Sequence, residues 1–217
     1  MERPILYSYY RSSSAYRVRI ALNLKKIDYK YHSVHLVKDG GEQFLDQFTE
    51  MNPKSEVPVF CHKENVFTQS MAILQYIDET FSGVSLFPHE LIKKIRCIEL
   101  CEMINSGIQP IQNVRVLREL ETRYKVSAEE KVNWCHKWIH EGLWALEKKL
   151  QNFEGPYCLG KFLSAVDLFL IPQVYNAERF KVDLSQMKRI NEVLKACLIK
   201  EEFIMAHPQN QPDCPDN

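Results

Sequence analysis

Residues 9–20 read YYRSSSAYRVRI, and this stretch decides how the first part of the chain folds. An apolar run at residues 5–7 precedes it and predicts a short strand, and the apolar residues from Val18 to Leu24 predict a helix. Three serines, Ser12 to Ser14, therefore lie where a strand passes into a helix. The first N–H groups of a helix have no partner within it and the dipole is positive there, so an anion or a thiolate is stabilised. The alternative is that one serine only caps the helix.

Length, charge and cysteine content limit the class of protein. The chain has 217 residues, enough for one large domain or two small ones. Lysine plus arginine equals aspartate plus glutamate, and this balance argues against nucleic acid or an anionic membrane as the main partner. No apolar run approaches the roughly 18 residues that cross a bilayer, so no membrane partner is expected. Seven cysteines without a Cys-x-x-Cys pair favour a reducing compartment, and we predict a cytoplasmic location.

The first eighty residues alternate between strand and helix patterns. A strand at 5–9, a helix at 13–24 and a strand at 29–36 predict a βαβ unit with a parallel strand pair. A short helix at 42–48 follows. Two apolar runs around the polar loop at 62–65 predict a β-hairpin, and residues 71–77 predict another helix. The order is βαβ–α–ββα.

Val57 and Pro58 stand just before the first strand of this hairpin. Proline cannot donate to a central ladder, so Pro58 marks a strand start, a sheet edge or a cis bond. The trans form is the default, because only about 5% of X–Pro bonds are cis. A cis bond would turn the backbone of Val57 outward, free to pair with a ligand.

Gln69 and Ser70 begin a second helix directly after a strand. The free N–H groups at its start are suited to a carboxylate. The alternative is again an ordinary cap.

The second part of the chain reads as helical from residue 89 onward. Segments 92–104 and 134–150 are amphipathic, Pro110 interrupts the pattern between them, and the charge-rich residues 122–133 predict a junction between helices. Ser164 and Asp167 have the spacing of a capping box. His136 and His140 are spaced for metal binding, but no third ligand is evident, so no metal site is predicted.

Several motifs together resemble one family. Ser12-Ser13, Val57-Pro58 and Gln69-Ser70 occur in the order used by glutathione transferases, whose first domain has the thioredoxin-like fold. Residues 5–13 and 17–22 resemble the signature of the zeta class, also called maleylacetoacetate isomerase. Residues 172–184 and the tail at 206–213 are similar to the same class, so the resemblance covers essentially the whole chain. It implies an α/β thioredoxin-like domain at 1–82, a linker at 83–88, an all-helical domain at 89–217 and a homodimer.

The resemblance implies glutathione as the cofactor. Ser70 and its helix N-terminus would bind the γ-glutamyl carboxylate with Gln69 nearby, and the Val57 backbone would pair with the cysteinyl amide. Ser12 would donate a hydrogen bond to the sulfur. Ser13 is the second catalytic candidate, and the remaining candidate cofactor contacts are Ser14, Gln43, Pro58, Gln109 and Asn113. Activation is needed because a thiol with a pKa near 8.5 is mostly protonated at neutral pH.

The resemblance also implies the reaction. The family isomerises maleylacetoacetate to fumarylacetoacetate in tyrosine and phenylalanine breakdown. The thiolate adds to the cis double bond, the resulting single bond rotates, and elimination gives the trans product and frees glutathione. The substrate is a small dianion, and arginine suits carboxylates. Arg179 is the leading candidate for that contact and Arg11 the second; the alternative for either is an ion pair at the surface or between domains.

Ser14 is a departure from the family pattern. The family usually reads Ser-Ser-Cys-Ser-Trp-Arg where this chain reads Ser12-Ser13-Ser14-Ala15-Tyr16-Arg17. Losing the cysteine removes a site for alkylation or a mixed disulfide. Two alternatives therefore stand beside the isomerase: a zeta-like transferase acting on α-haloacids or other electrophiles, and a non-catalytic binding protein that kept the fold.

Overall fold

The computed structural model describes residues 2–215, which divide into two compact units. One unit combines the chain up to Leu86 with the segment that begins at Leu198, and the other runs from Phe87 to Cys197. The sequence placed everything after residue 89 in one helical domain. In the structure, the described residues from Leu198 to 215 belong instead with the first unit.

The first unit contains a four-stranded sheet. Its strands are β1 (Ile5–Ser8), β2 (Lys30–Ser33), β3 (Val59–His62) and β4 (Asn65–Thr68), in the order β2-β1-β3-β4. β1 is parallel to β2 and antiparallel to β3, and β4 closes a hairpin with β3. The predicted βαβ unit and hairpin are confirmed. β2 is shorter than predicted, because the chain turns after Val34 and His35 Nδ1 accepts hydrogen bonds from the N–H groups of Val37 and Lys38.

Three helices of the N-terminal segment pack with this sheet. They are α1 (Ser13–Leu24), α2 (Asp46–Met51) and α3 (Ser70–Thr80). The predicted helix at 42–48 is instead a 3₁₀ turn, Glu42–Phe44, followed by α2. Leu45 lies between the two in an extended conformation, which breaks the helical run. α1 ends beside Lys25, whose buried Nζ lies 2.8 Å from Asp78 Oδ1 on α3.

The second unit is built from helices. They are α4 (Leu91–Asn105), α5 (Val114–Thr122), α6 (Ala128–Leu150), α7 (Ala165–Arg179) and α8 (Lys188–Leu198). α4 packs on α7, and the 3₁₀ turn Gln109–Gln112, with Pro110 at its start, separates α4 from α5. No helix within residues 2–215 has both the length and the apolar character to cross a membrane.

Two capping arrangements define helix starts in this unit. The prediction of a junction at 122–133 was wrong for its second half, because α6 already begins at Ala128. Ser127 Oγ accepts from the Glu130 N–H, and the Glu130 carboxylate accepts from the Ser127 N–H at 2.8 Å. The predicted box at α7 is confirmed, since Asp167 accepts from the Ser164 N–H at 2.8 Å.

The C-terminal segment returns to the first unit through α9 (Glu201–Ala206), which packs on α1. Phe203 is fully buried there, and the Ala206 carbonyl accepts a hydrogen bond from Arg19 Nε at 3.0 Å. The segment therefore completes the first unit, and its partners lie almost two hundred residues away in the sequence, where no local pattern signals them.

Candidate functional site

Three of the predicted motifs lie at one end of the sheet. Tyr7 in β1 pairs with Val59 in β3, and Val59 pairs with Thr68 in β4. β1 and β4 therefore finish, and β3 begins, at the same end, which we call the Ser12 end. The segments that leave or enter the sheet there are residues 9–14, Val57-Pro58 and Gln69-Ser70.

Ser12 caps α1. Its backbone is extended, and its Oγ accepts a hydrogen bond from the Ala15 N–H at 3.2 Å. The capping interpretation is therefore correct. It does not exclude contact with a thiol, because the oxygen acts as acceptor in this bond and the hydroxyl hydrogen remains available to donate. Ser13 is buried, and Ser12 and Ser14 are half-buried.

The Val57–Pro58 peptide bond is cis, the less frequent of the alternatives that the sequence left open. Both residues are buried. The main-chain N–H and C=O of Val57 form no hydrogen bond with another residue in the described range 2–215. Buried main-chain groups are nearly always paired, so this pair suits the amide of an extended ligand.

Gln69 and Ser70 form the start of α3. Gln69 is exposed and has a φ of 68°, a region that residues with a side chain occupy at some cost in free energy. Ser70 is buried, and its Oγ accepts a hydrogen bond from Arg17 Nη1 at 3.0 Å. The hydroxyl hydrogen of Ser70 and the first N–H groups of α3 are therefore available to bind an anion.

Gln43 lies in the turn before α2. Its Nε2 donates to the Leu36 carbonyl at 3.2 Å, while its buried Oε1 has no hydrogen-bond partner among residues 2–215. Gly41 makes room for this side chain, since a Cβ at Gly41, where φ is 111°, would lie 2.5 Å from Gln43 Oε1. Gln43 therefore offers an unused acceptor close to the surface of the unit.

Arg11 and Tyr9 precede Ser12 in the same loop, and only Arg11 carries a charge. The Arg11 guanidinium lies 5.9 Å from the centre of the Tyr10 ring. Burial raises the pKa of Tyr9 to about 12. Tyr9 is therefore a neutral phenol at physiological pH and adds no negative charge that would repel a thiolate.

The remaining candidates lie in the second unit. Gln109 is half-buried at the start of the 3₁₀ turn, and Asn113 caps α5 by accepting from the Arg115 N–H at 3.3 Å. Arg179 is exposed at the C-terminal end of α7. Its Nη1 donates to Asn176 Oδ1 at 3.3 Å, and its guanidinium lies 5.7 Å from the centre of the Phe180 ring.

Sequence reasoning missed three charged residues near the Ser12 end. Arg17 and Arg19 are fully buried in α1, and Asp213 accepts a hydrogen bond from the Tyr10 N–H. The sequence did contain a signal for them, since two arginines are spaced two apart in a mostly apolar helix. Residues at this spacing lie on nearly opposite faces of a helix, so at least one of the two charges lies away from solvent. No group of three or more His, Cys, Asp or Glu suited to a metal occurs within residues 2–215.

Comparison with known proteins identifies the family. Residues 3–79 match the family "Glutathione S-transferase, N-terminal domain". The chain is 45% identical to maleylacetoacetate isomerase of Mus musculus over 98% of this chain and 96% of the relative. It is 42% identical to the zeta-class glutathione S-transferase of Euphorbia esula over 96% of this chain and 91% of the relative. The chain belongs to the zeta-class glutathione transferases.

Solved structures of zeta-class proteins agree with this assignment. A bacterial zeta-class maleyl pyruvate isomerase in its holo form superposes with a TM-score of 0.92 at 35% identity, covering 96% of this chain and 99% of that one. Maleylacetoacetate isomerase from Anaeromyxobacter dehalogenans, with GSH bound in its active site, gives a TM-score of 0.88 at 39% identity, covering 98% of both chains.

The residues of the first unit fit the glutathione that the zeta class uses. The unpaired main chain of Val57 suits a peptide-like ligand, and the start of α3 at Ser70 suits a carboxylate. The unused Gln43 Oε1 suits an N–H donor. Glutathione has a group for each of these sites: a peptide amide for Val57, a carboxylate for the start of α3 and an N–H donor for Gln43.

Proposed function

We propose that this protein is a glutathione-dependent isomerase that converts maleylacetoacetate to fumarylacetoacetate in tyrosine and phenylalanine catabolism. Its zeta-class relatives include curated maleylacetoacetate isomerases. The observation that carries the proposal is the Ser12 end of the sheet, where a hydroxyl that can still donate, an unpaired main-chain amide and a helix start come from three segments.

The first unit supplies the anchor for glutathione in this proposal. Ser70 and the α3 N–H groups bind the γ-glutamyl carboxylate, with Gln69 beside them. Val57, held by the cis bond to Pro58, pairs with the cysteinyl amide. The further contacts proposed are Gln43, Gln109 and Asn113. Ser70 suits its role because Arg17 donates to its oxygen, which leaves the hydroxyl hydrogen for the ligand.

Ser12 is the proposed activator of the thiol. Glutathione supplies the sulfur nucleophile that adds to the double bond of the substrate and is later released. The Ser12 hydroxyl donates to that sulfur, and the main-chain amides of Ser13 and Ser14 add positive potential at the start of α1. Each pKa unit by which these groups favour the thiolate corresponds to about 1.4 kcal/mol.

Arg179 and Arg11 are the proposed contacts of the acidic substrate. A guanidinium can bind a carboxylate through two parallel hydrogen bonds. Arg179 is exposed and is oriented by its bond to Asn176. Arg11 is half-buried and directly precedes Ser12 in the sequence. Both are therefore accessible cations.

A transferase that consumes glutathione is the second candidate. Two observations favour it: Ser14 replaces the cysteine usual in the family, and a relative of comparable similarity is named a zeta-class glutathione S-transferase. The Ser12 mechanism of thiol activation is the same in both functions, so the two differ in the electrophile.

One assay series separates these functions. The purified protein is incubated with glutathione and maleylacetone, and both the isomer ratio and the total thiol are followed. Isomerisation at constant thiol supports the isomerase. Loss of thiol with chloroacetate, without isomerisation, supports the transferase instead. No turnover and no retention on a glutathione resin would reject both and leave a non-catalytic protein.

We also propose that the protein is a cytoplasmic homodimer. Leu91, Ile92 and Ile95 at the start of α4 are more than half exposed, and such an apolar strip suits a second copy of the chain. Light scattering after gel filtration should give twice the mass of the chain. Ile92→Glu should give the monomer, and Ile199→Glu, at a site that is 80% exposed against 66% for Ile92, serves as the control; a monomeric wild type contradicts the proposal.

A further inference from the structure

The loop that carries Ser12 is held from one side by Arg19. This fully buried side chain donates from Nη2 to the Tyr10 carbonyl at 2.9 Å and from Nη1 to Ser8 Oγ at 3.1 Å. Its Nε donates to the Ala206 carbonyl at 3.0 Å. Arg19 therefore joins the end of β1, the loop before α1 and the C-terminal segment.

Asp213 holds the same loop from the C-terminal segment. Its Oδ2 accepts from the Tyr10 N–H at 2.9 Å, and its Oδ1 accepts from the Tyr31 hydroxyl at 2.6 Å. Tyr31 belongs to β2, so the carboxylate is itself anchored on the sheet. Burial raises the pKa of Tyr31, which keeps this hydroxyl protonated and donating.

Tyr10 is thus bound on both sides by charged groups. Its N–H donates to an anionic side chain and its C=O accepts from a cationic one, and Ser12 follows two residues later. Hydrogen bonds to charged groups are stronger than those between neutral groups. Arg19 is desolvated, which lowers its pKa, and Asp213 is among the groups that raise it again. Burying the Arg19 guanidinium costs free energy, and hydrogen bonds that offset this cost favour the one conformation of the loop in which they form.

Small displacements of this loop matter for catalysis. A shift of about 1 Å in a positioned group can reduce a rate by about a hundredfold. The γ-glutamyl end of glutathione is bound by other segments in the proposed function, so loosening Tyr10 affects the contact to sulfur more than the affinity.

We propose that Asp213, together with Arg19, is a positioning residue that fixes the Tyr10 peptide and thereby the Ser12 hydroxyl toward the thiol. The inference rests on the proposed function of Ser12. It assigns a role to Asp213, whose carboxylate takes no part in the chemical step.

The test uses Asp213 variants of the full chain. Asp213→Ala removes both acceptors, whereas Asp213→Asn keeps an oxygen for the Tyr10 N–H. Tyr31→Phe leaves the carboxylate but removes its anchor. Asp28→Ala makes the same change of charge in the first unit, at an exposed side chain paired with Arg3, and serves as the control.

Two measurements read the position of the loop. Hydrogen exchange of the peptide containing Tyr10, in protein without glutathione, should be faster in Asp213→Ala than in wild type and unchanged in Asp28→Ala. The ultraviolet absorbance of the thiolate, titrated against pH, should show the bound thiol pKa raised by about one unit in Asp213→Ala, equivalent to about a tenfold loss of thiolate at a pH below both pKa values.

The kinetic pattern should separate positioning from a general loss of structure. Asp213→Ala should lower kcat about tenfold, in line with the thiolate loss, and change KM for glutathione by less than about threefold. Asp213→Asn should recover most of the activity, and Tyr31→Phe should lie between Asp213→Ala and wild type.

Three results with the variants would overturn the inference. Unchanged exchange and an unchanged thiol pKa in Asp213→Ala would do so, as would an Asp213→Asn variant as impaired as Asp213→Ala. If Asp213→Ala does not fold, Tyr31→Phe decides, and wild-type exchange at Tyr10 in that variant contradicts the proposal. If the wild type itself shows no thiolate signal, the proposed function fails together with this inference. That result differs from the three above, in which the wild type has a thiolate signal and only the role of Asp213 is contradicted.

Discussion

Ser12 can serve two partners at once, because a hydroxyl accepts and donates through different parts of the same group. Its oxygen accepts from the Ala15 N–H, which stabilises the start of α1, and its hydrogen is left for a ligand. A capping serine is therefore a rigid donor, since the capping bond fixes where the oxygen lies.

Replacing Ser12 tests both partners. Ser12→Ala should reduce isomerase turnover at least tenfold at neutral pH, the effect of about one pKa unit in the bound thiol, and should lower the free energy of unfolding by about 1 kcal/mol through the lost cap. Turnover and urea denaturation measure the two effects. Ser127→Ala, which removes the exposed cap of α6, should cost similar stability without loss of turnover. An unchanged rate in Ser12→Ala would mean that the backbone amides alone activate the sulfur.

Restoring the usual family residue tests the environment of Ser14. Ser14→Cys should introduce a thiol that iodoacetamide alkylates quickly at neutral pH, because a helix N-terminus lowers a thiol pKa. Burial raises the pKa of Cys61, so Cys61 in the same molecule is the internal slow control. Mass spectrometry of the digested protein measures both rates, and glutathione should protect the new site. Alkylation no faster than at Cys61 would contradict a positive potential at this end of α1.

Single residues also show where the sequence stops being informative. The capping roles of Ser12 and Ser164 could be predicted, because each depends on neighbours within a few positions. The bond from Arg17 to Ser70 could not, because the two residues are 53 positions apart. The cis form of Val57–Pro58 could not be predicted, since the base rate favours trans. The partners of Arg19 could not be predicted either, because one of them lies 187 residues further along the chain.

At the scale of elements, helix starts were harder to predict than helix interiors. The interior of α6 shows a clear apolar stripe, but its first turn is polar and was assigned to a junction. That turn is stabilised by the reciprocal Ser127–Glu130 bonds and not by burial. The hydrogen bonds to Ser127 hold the pKa of Glu130 below its usual range, which fits an ionised carboxylate at a helix N-terminus.

His207, which directly follows α9, should contribute less to the stability of the protein in acid. Burial, and then the charge of Arg19, lower the pKa of His207, whose Nδ1 accepts from the Gln209 N–H. The folded state thus binds this proton less well than the unfolded state. The stabilisation is therefore present above the ordinary histidine pKa of about 6.5 and is lost as pH falls through the lowered value.

A variant isolates this effect. The difference in free energy of unfolding between wild type and His207→Asn should be larger at about pH 7.5 than at about pH 5. Urea denaturation at the two pH values measures it. The same comparison with His89→Asn, at a site whose side chain is more exposed, provides the control. A difference that grows as the pH falls would have the wrong sign and contradict the assignment.

At the scale of the whole molecule, the order of the sequence and the order of the units differ. The second unit is one continuous stretch from Phe87 to Cys197, whereas the first is made from both ends of the chain. A domain boundary near residue 82–89 could be predicted from composition and resemblance. The return of the C-terminal segment could not, because α9 is only six residues long and its apolar residues give no sign of which surface they cover.

The C-terminal segment should contribute strongly to the stability of the first unit. Phe203 is fully buried and the adjacent Ile204 is 48% exposed. Phe203→Ala should lower the free energy of unfolding by about 3–5 kcal/mol, and Ile204→Ala by less than about 1 kcal/mol.

The location of this effect can be measured separately in each unit. All three tryptophans, Trp134, Trp138 and Trp144, lie on α6 in the second unit, so fluorescence reports on that unit. Hydrogen exchange in residues 13–24 reports on the first. Phe203→Ala should accelerate exchange in residues 13–24; equal effects of the two variants would contradict the packing of α9 on α1.

The divided first unit also has a consequence for synthesis of the protein on the ribosome. The chain emerges from its N-terminus, and domains generally fold as their residues become available. Residues 87–197 are complete in one piece and can fold while translation continues. Arg19, Tyr10 and Tyr31 emerge early, but their partners Ala206 and Asp213 follow the whole second unit in the sequence and emerge after it. The unit proposed to bind glutathione therefore reaches its final structure only after residues 87–197 have been made, although its N-terminal part is the first to emerge.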